Sequence, residues 1–228
     1  MASSTRHPAP VPPQVINRHD VEISAGGSTL QGNFDVPSGA TGVVIFAHGS
    51  GSSRFSPRNR LVASALHSPG LATLLMDLLT PAEEQVDLRT RQLRFDIGLL
   101  ADRLVAAVDW TRAQPDIGSL GVGLFGASTG AAAALVAAAK RVDTVKAVVS
   151  RGGRPDLAEQ ALPLVKAPTL LIVGADDGQV LELNEVAQRK MTTHTEISVI
   201  SGATHLFEEP GTLDTVANLA AGWFSLYL

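Results

Sequence analysis

Three side chains of this sequence, a serine, an aspartate and a histidine, have the types and the placement that nucleophilic catalysis needs. Ser128 stands in the segment Gly126-Ala-Ser-Thr-Gly130, which has the pattern G-x-S-x-G. A serine hydroxyl becomes a nucleophile at neutral pH only when a neighbouring base takes its proton. His205 can take that proton and return it to a leaving group, and the carboxylate of Asp177 can orient the ring. We therefore predict that Ser128, His205 and Asp177 form a catalytic triad.

The glycines of the G-x-S-x-G pattern have a physical purpose. Gly126 and Gly130 lack the Cβ atoms that would clash on a sharp turn from a strand into a helix. The helix that follows directs its backbone N–H groups toward developing negative charge. The alternative is a glycine-rich turn that only packs a helix against a strand, and the pattern alone does not decide between the two.

Two adjacent aspartates compete for the role of the carboxylate. Asp177 is preferred because of its spacing from Gly174 before it and from Val180, where the next helix is expected to begin. Asp176 is the alternative. Either carboxylate could instead form the turn or cap the helix.

A second glycine-rich segment, His48-Gly-Ser-Gly-Ser-Ser53, follows an apolar run of strand length. An H-G-x turn at this place supplies one backbone amide of an oxyanion hole, and the residue after the nucleophile supplies the other. We assign this role to the backbone N–H groups of Ser50 and Thr129. We expect His48 to anchor its loop by hydrogen bonds rather than to act as a base. The alternative for the whole segment is a flexible Gly/Ser loop.

The elements that must position these residues are strands that alternate with helices. Segments that flank Gly26-Gly27 alternate apolar and polar residues, which predicts an antiparallel hairpin at one edge of a sheet. Apolar runs predict further strands at 41–47, 71–76, 119–125, 145–150, 168–173 and 196–200. This alternation predicts an α/β fold with a mostly parallel central sheet, an antiparallel N-terminal edge and helices on both faces.

Apolar spacing, composition and stop signals predict the helices, at 57–68, 93–114, 129–140, 156–162, 180–191 and 212–226. Residues 78–91 have no clear periodicity, and we expect a charged loop there. Active sites of parallel sheets lie in the loops after the carboxyl ends of the strands. Ser128, Asp177 and His205 each follow a predicted strand, which is the required placement.

The remaining histidines and one aspartate do not fit the site. His194 and Asp143 precede strands and are therefore expected at the opposite edge of the sheet. His7 and His19 lie in or near the N-terminal tail. His67 ends a predicted helix, where a protonated side chain would suit the helix dipole.

Length, charge and composition limit the class of protein. The chain has 228 residues, of which 45% are hydrophobic and 18% charged, as in ordinary globular proteins. We predict a flexible tail over residues 1–14 and one domain over 15–228. The net charge of −4 gives no reason to expect nucleic acid or an anionic membrane as partner. Because there is no cysteine, disulfides and thiolate metal sites are excluded, and we expect no cofactor or metal.

No segment of the sequence predicts secretion or insertion into a membrane. The tail is rich in Pro and Ser and has no apolar core, so it is not a secretory signal, and we expect a cytoplasmic protein. Residues 119–139 contain no charged residue, but glycines interrupt this stretch and alanine dominates it. We therefore do not interpret it as a membrane span.

Taken together, the motifs AHGSGSS, GASTG, VGADDGQV and GATHLF resemble the α/β-hydrolase superfamily, specifically its small dienelactone hydrolase-like members. The resemblance covers residues 21–224, and the order Ser, Asp, His along the chain agrees with it. It implies the α/β-hydrolase fold and serine-hydrolase chemistry. The family's dienelactone hydrolases use a cysteine nucleophile, whereas this sequence has Ser128. The segment 46–84 also resembles a branch that is sometimes fused to a phosphoribosyltransferase domain, but no phosphoribosyl-binding loop is visible here.

The substrate is expected to be a small ester. Many relatives insert a helical cap after the strand at 145–150, but only residues 151–167 separate that strand from the next, so we expect no cap domain. Arg54 and Arg58 follow the oxyanion loop, and Arg151 follows a strand. These arginines could recognise an anionic group of the substrate, or they could be solvated or pair with acidic residues of 78–91.

Other functions remain open from sequence alone. The same triad could transfer an acyl group to an acceptor other than water. The chain could also be a non-catalytic binding protein on a hydrolase scaffold, since a fold does not establish a function. A nucleotide-binding domain has no support, because neither G-x-G-x-x-G at a first strand nor a P-loop is present. The oligomeric state cannot be predicted.

Overall fold

The computed structural model describes residues 15–228, so the predicted tail over 1–14, with His7, lies outside the described residues. A sheet of eight strands forms its centre. The strands are β1 (Ile16–Ala25), β2 (Ser28–Pro37), β3 (Gly42–Ala47), β4 (Leu71–Met76), β5 (Gly121–Ala127), β6 (Val145–Arg151), β7 (Thr169–Gly174) and β8 (Thr195–Ile200). The helices are α1 (Pro57–His67), α2 (Pro81–Thr90), α3 (Ile97–Arg112), α4 (Thr129–Lys140), α5 (Gly178–Lys190) and α6 (Thr212–Tyr227).

The order of strands in the sheet is β1-β2-β4-β3-β5-β6-β7-β8. β1 pairs with β2, and β2 with β4, in antiparallel fashion, while the pairs from β4 to β8 are parallel. This confirms the predicted fold, including the antiparallel N-terminal edge. The carboxyl ends of the parallel strands therefore meet at one edge of the sheet, as the expected placement of the site requires.

Helices cover both faces of the sheet, as the sequence predicts. One apolar core lies under α3 and α4, and the other lies under α1 and α6. β3, β4 and β7 are buried along their whole length, which explains their uninterrupted apolar sequences. The alanine-rich helix α4 is almost entirely buried, because small side chains let it lie close against the strands.

The expectation of a loop over residues 78–91 was wrong, since these residues include helix α2. Thr80 and Glu83 form a capping box at its start, with Pro81 in the first turn. Asp87 is the only residue of α2 that is buried. The helix therefore has no apolar stripe, and hydrophobic periodicity could not predict it.

Two further helices were predicted with wrong bounds. The long helix expected over 93–114 is a 3₁₀ turn at Leu93–Phe95 followed by α3, because the Asp96 side chain accepts a hydrogen bond from Leu99 N–H and starts a new helix. The helix expected over 156–162 is instead two 3₁₀ turns, Pro155–Ala158 and Leu162–Leu164. These turns are the only helical structure between β6 and β7, so no cap domain is present at this position.

His67 is not the protonated helix terminus that the sequence predicts. Its side chain is buried, and its Nε2 lies 2.9 Å from Thr73 Oγ1. Burial lowers the pKa of His67, so the neutral ring is favoured in the folded protein. The uncharged stretch 119–139 is divided between β5 and α4, and within residues 15–228 no helix is both long and apolar enough to span a bilayer.

Candidate active site

Ser128 occupies a strained turn between β5 and α4. Its backbone angles are φ 52° and ψ −121°, a conformation that residues with a Cβ rarely adopt. Hydrogen bonds hold this turn: Ser128 N–H donates to the carbonyl of Arg151 at 3.2 Å, and the Ser128 carbonyl accepts from Arg154 N–H at 3.1 Å. The next strand of the sheet thus fixes the position of the serine.

The glycines beside Ser128 allow the close approach that the sequence pattern predicts. A Cβ on Gly126 would lie 2.4 Å from the Cα of Ala131. A Cβ on Gly130 would lie 2.4 Å from the carbonyl oxygen of Ala47 and 2.5 Å from that of His48. Backbone atoms cannot give way at such distances, so both positions require glycine.

Asp177 and His205 form a hydrogen-bonded pair at the same edge of the sheet. Asp177 lies between β7 and α5, and its Oδ2 is 2.6 Å from Nδ1 of His205, which lies in the loop after β8. A carboxylate that accepts the Nδ1 proton leaves Nε2 of the neutral ring without a proton, which is the state that a general base needs. Asp176, the alternative carboxylate, is exposed, and only its backbone N–H is bonded, to the Ala203 carbonyl.

A cavity of about 220 Å³ contains both Ser128 and His205. Its lining also includes Gly49, Ser50 and Arg151. Larger cavities, of about 400 and 610 Å³, lie elsewhere and contain none of the predicted catalytic side chains. Of the residues singled out in the sequence, Ser128, His205 and Ser50 line this cavity with Arg58 and Arg151. Thr129 and His48 line a neighbouring cavity of about 230 Å³, which Ser50 also lines.

The oxyanion loop, residues 48–53, packs directly against the turn of Ser128. A Cβ on Gly49 would lie 3.2 Å from the Cβ of Ser128. Within residues 15–228, the backbone N–H groups of Ser50 and Thr129 donate to no other protein atom. Two backbone N–H groups without an acceptor, one in this loop and one in the residue after Ser128, are the kind of donor that an oxyanion hole uses.

His48 anchors the oxyanion loop, as predicted. Its Nδ1 lies 2.9 Å from the carbonyl oxygen of Gly49, and its Nε2 accepts a hydrogen bond from Leu78 N–H at 3.1 Å. With one nitrogen as donor and the other as acceptor, the ring is neutral. Burial lowers its pKa, which agrees with this assignment.

Asp77 holds the far end of the oxyanion loop. Its Oδ1 accepts the backbone N–H of Arg54 at 2.8 Å, and its Oδ2 contacts the Arg54 guanidinium. Sequence analysis did not assign a role to Asp77, although it directly follows β4 and so satisfies the same positional condition as the triad. Arg54 is thereby paired and does not line the cavity of Ser128.

Arg151 lies at the end of β6 and lines the cavity. Its exposed fraction is 7%, and within residues 15–228 its Nε and Nη1 have no hydrogen-bond partner. Burial, with a smaller contribution from the charge of Arg58, lowers its pKa to about 10, so it remains protonated at neutral pH. Arg58 also lines the cavity, and its Nη1 lies 2.9 Å from Glu208 Oε1.

Among residues 15–228, no three histidine or acidic side chains lie close enough together to hold a metal ion. The groups that this arrangement offers for chemistry are a hydroxyl, an imidazole with a carboxylate partner, two backbone amides and a buried cation.

Comparison with known proteins agrees with the fold and the motifs. The model of the dienelactone hydrolase family matches residues 31–222. A crystal structure named as dienelactone hydrolase from Anabaena variabilis is 62% identical in sequence, covers 93% of this chain and 99% of that chain, and superposes with a TM-score of 0.92. The chain belongs to the dienelactone hydrolase family.

Other matches are longer proteins or more distant structures. Two curated Mycobacterium tuberculosis proteins, each named "Putative phosphoribosyl transferase", are 58% identical over 205 residues, which are 90% of this chain and 45% of theirs. The chain thus spans less than half the length of these relatives. The esterase Est1E from Butyrivibrio proteoclasticus, at 16% identity and a TM-score of 0.73 over 90% of this chain and 99% of that one, shares the fold.

Proposed function

We propose that this protein is a serine hydrolase that cleaves small carboxylic esters through an acyl-enzyme intermediate. The observation that carries the proposal is the hydrogen bond of 2.6 Å between His205 and Asp177. The imidazole of His205 lines the same cavity as Ser128, whose backbone is strained. Membership of the dienelactone hydrolase family supports hydrolytic chemistry. Serine in place of the family's cysteine can serve as the nucleophile in the same way. Because a serine hydroxyl is less acidic than a thiol, it depends more on a base that removes its proton during attack.

The reaction would proceed in two halves. Ser128 Oγ attacks the ester carbonyl carbon while its proton moves to Nε2 of His205, and the carbonyl oxygen gains negative charge beside the N–H groups of Ser50 and Thr129. The bond to the alcohol then breaks as the imidazolium returns the proton to the leaving oxygen. Water repeats the same steps on the acyl-enzyme and releases the acid, which restores the serine.

The substrate is proposed to carry an anionic group that Arg151 receives. Burying a guanidinium with two unpartnered nitrogens destabilises the folded protein unless an anion accepts hydrogen bonds from them. A carboxylate matches the geometry of the guanidinium. Arg58 would add charge at the same cavity, although Glu208 partly neutralises it. Arg54 does not take this role, because its pairing with Asp77 gives it a structural task instead.

The proposal is tested by replacing the nucleophile. Turnover of p-nitrophenyl esters by Ser128→Ala should fall by about 10⁴- to 10⁶-fold relative to the unaltered protein. Ser225→Ala is a matched control, because it removes an exposed hydroxyl from α6, outside the cavity of Ser128. Near-full turnover by Ser128→Ala would contradict the proposal. No turnover by the unaltered protein on any ester would instead favour a binding protein on a hydrolase scaffold.

Acyl transfer to an alcohol is the alternative within the same mechanism. The side chain of His205 is 39% exposed, so an acceptor other than water could reach the acyl-enzyme. Product analysis in the presence of added alcohols distinguishes the two reactions. Free acid as the main product supports hydrolysis, whereas a new ester in large excess over acid supports transfer.

A further inference from the structure

The side chains of the two oxyanion-hole residues are hydrogen-bonded to each other. Ser50 Oγ lies 2.9 Å from Thr129 Oγ1, although one residue belongs to the loop after β3 and the other begins α4. The backbone amides do not need these hydroxyls in order to donate to an oxyanion. The contact between the hydroxyls is thus additional to whatever the two amides bind.

The direction of this hydrogen bond follows from burial. Thr129 is 3% exposed, and the hydrogen bonds of the described residues give its hydroxyl one partner, Ser50 Oγ. A buried O–H that donates to nothing is strongly disfavoured. Ser50 is exposed and can direct its own proton elsewhere. Thr129 therefore donates and Ser50 accepts.

This direction leaves the Ser50 proton free to donate a further hydrogen bond. Ser50 lines the cavity that contains Ser128, and the neighbouring Gly49 approaches the Ser128 side chain closely. We propose that the Ser50 hydroxyl is a third, side-chain donor of the oxyanion hole, held in place by the Thr129 hydroxyl. Because an O–H that accepts a hydrogen bond is polarised, it becomes a better donor.

The inference rests on the proposed serine-hydrolase function and adds one catalytic group to it. No covalent bond to Ser50 forms or breaks. Its hydrogen bond strengthens only as the carbonyl oxygen gains charge during attack by Ser128. An interaction made in the transition state and not in the ground state changes kcat and leaves KM nearly unaltered.

The experiment compares four variants with p-nitrophenyl acetate as substrate: Ser50→Ala, Thr129→Val, the double variant and Thr129→Ser. Valine keeps the shape of threonine and removes the hydroxyl, whereas serine keeps the hydroxyl. We expect Ser50→Ala and Thr129→Val each to lower kcat by about 10- to 100-fold, with KM within about threefold. The double variant should be no slower than the slower single variant, because the two hydroxyls act as one unit.

A second readout distinguishes the catalytic role from a structural one. Affinity for a boronic acid that forms a tetrahedral adduct with Ser128 should fall by a factor similar to the fall in kcat, while the melting temperature changes little. Thr129→Ser should recover most of the turnover that Thr129→Val loses. The inference is overturned if Ser50→Ala keeps full kcat, or if the two single losses multiply in the double variant.

The outcome is separable from that of the proposed function. If Ser128→Ala retains turnover, the hydrolase proposal fails and this inference fails with it. If Ser128→Ala is inactive and Ser50→Ala is fully active, the hydrolase stands with an oxyanion hole of two amides, and only the third donor is refuted.

Discussion

Asp77 binds Arg54 twice, through the backbone N–H at 2.8 Å and through the guanidinium. The next residue, Leu78, donates its N–H to His48. The end of β4 thus holds the oxyanion loop at both of its ends. A loop rich in Gly and Ser loses considerable conformational entropy when it adopts one shape, and these contacts offset that cost. These contacts hold residues 48–53 in one shape, as the proposed oxyanion hole would require.

Removing the Asp77 carboxylate should therefore impair catalysis more than binding. We expect Asp77→Ala to lower kcat by at least about tenfold and Asp77→Asn by less, because the amide oxygen still accepts the Arg54 N–H. Asp102→Ala, which breaks an exposed ion pair with Lys140, is the control and should leave turnover unchanged. Steady-state kinetics measure both parameters, and full kcat in Asp77→Ala would contradict the positioning role.

Gly130 should not tolerate a side chain. In Gly130→Ala the new Cβ would meet the backbone carbonyls of Ala47 and His48, so the oxyanion loop must move away from the turn of Ser128. We expect loss of most turnover and destabilisation by about 1–3 kcal/mol. Gly222→Ala is the matched control, because nothing lies within 4 Å of the new Cβ in α6. There we expect stabilisation by about 0.5–1 kcal/mol. Chemical denaturation checks both values, and equal behaviour of the two variants would be contrary to this account.

Arg151 should determine a preference for anionic substrates. In Arg151→Met we expect kcat/KM for the p-nitrophenyl monoester of glutaric acid to fall by about 10- to 100-fold, which corresponds to one lost charge-assisted hydrogen bond. The neutral valerate ester should change by less than about threefold. Arg154→Met is the control, since Arg154 pairs with Asp156 and does not line the cavity. Equal losses for both esters would remove the role of Arg151 in recognising charge.

Stability should rise as the pH increases toward about 6.5. Burial lowers the pKa of both His48 and His67 below the usual 6.5. Asp35 opposes this shift at His67 and Arg18 adds to it. The unfolded chain then binds protons that the folded protein does not, so unfolding becomes easier as pH falls. Each histidine contributes at most about 1.4 kcal/mol per pH unit.

The variant His67→Gln tests this dependence. It should flatten the rise of unfolding free energy with pH, because one of the two sites no longer titrates. Urea denaturation at several pH values measures the slope. His19→Gln serves as the control, since His19 is exposed. An unchanged slope in His67→Gln would mean that His67 does not resist protonation in the folded state.

Sequence reasoning predicted the strands and the placement of the candidate site because both rest on local patterns. Apolar runs such as those of β3 and β7 indicate buried parallel strands, and the position just after a strand places a residue at the functional edge. Helix α2 was missed because Asp87 is its only buried residue. The spacing of Thr80, Pro81 and Glu83 was the signal available for it.

Contacts between distant segments could not be predicted in this way. Acidic residues of 78–91 were the predicted alternative partners of Arg54, but its partner is Asp77, which lies just before them. The pairing of Ser50 with Thr129 depends on how closely a loop and a helix pack, which the sequence does not encode locally. Nor does a helix C-terminus by itself indicate that His67 is buried beside Thr73.

Covalent labelling tests the central claim most directly. A fluorophosphonate should add one equivalent to the protein, peptide mapping should place it on Ser128, and the rate should fall steeply in His205→Ala. Asp177→Ala should slow labelling as well, whereas Asp176→Ala should not. A protein that remains unlabelled, or that is labelled on another serine, would contradict the account.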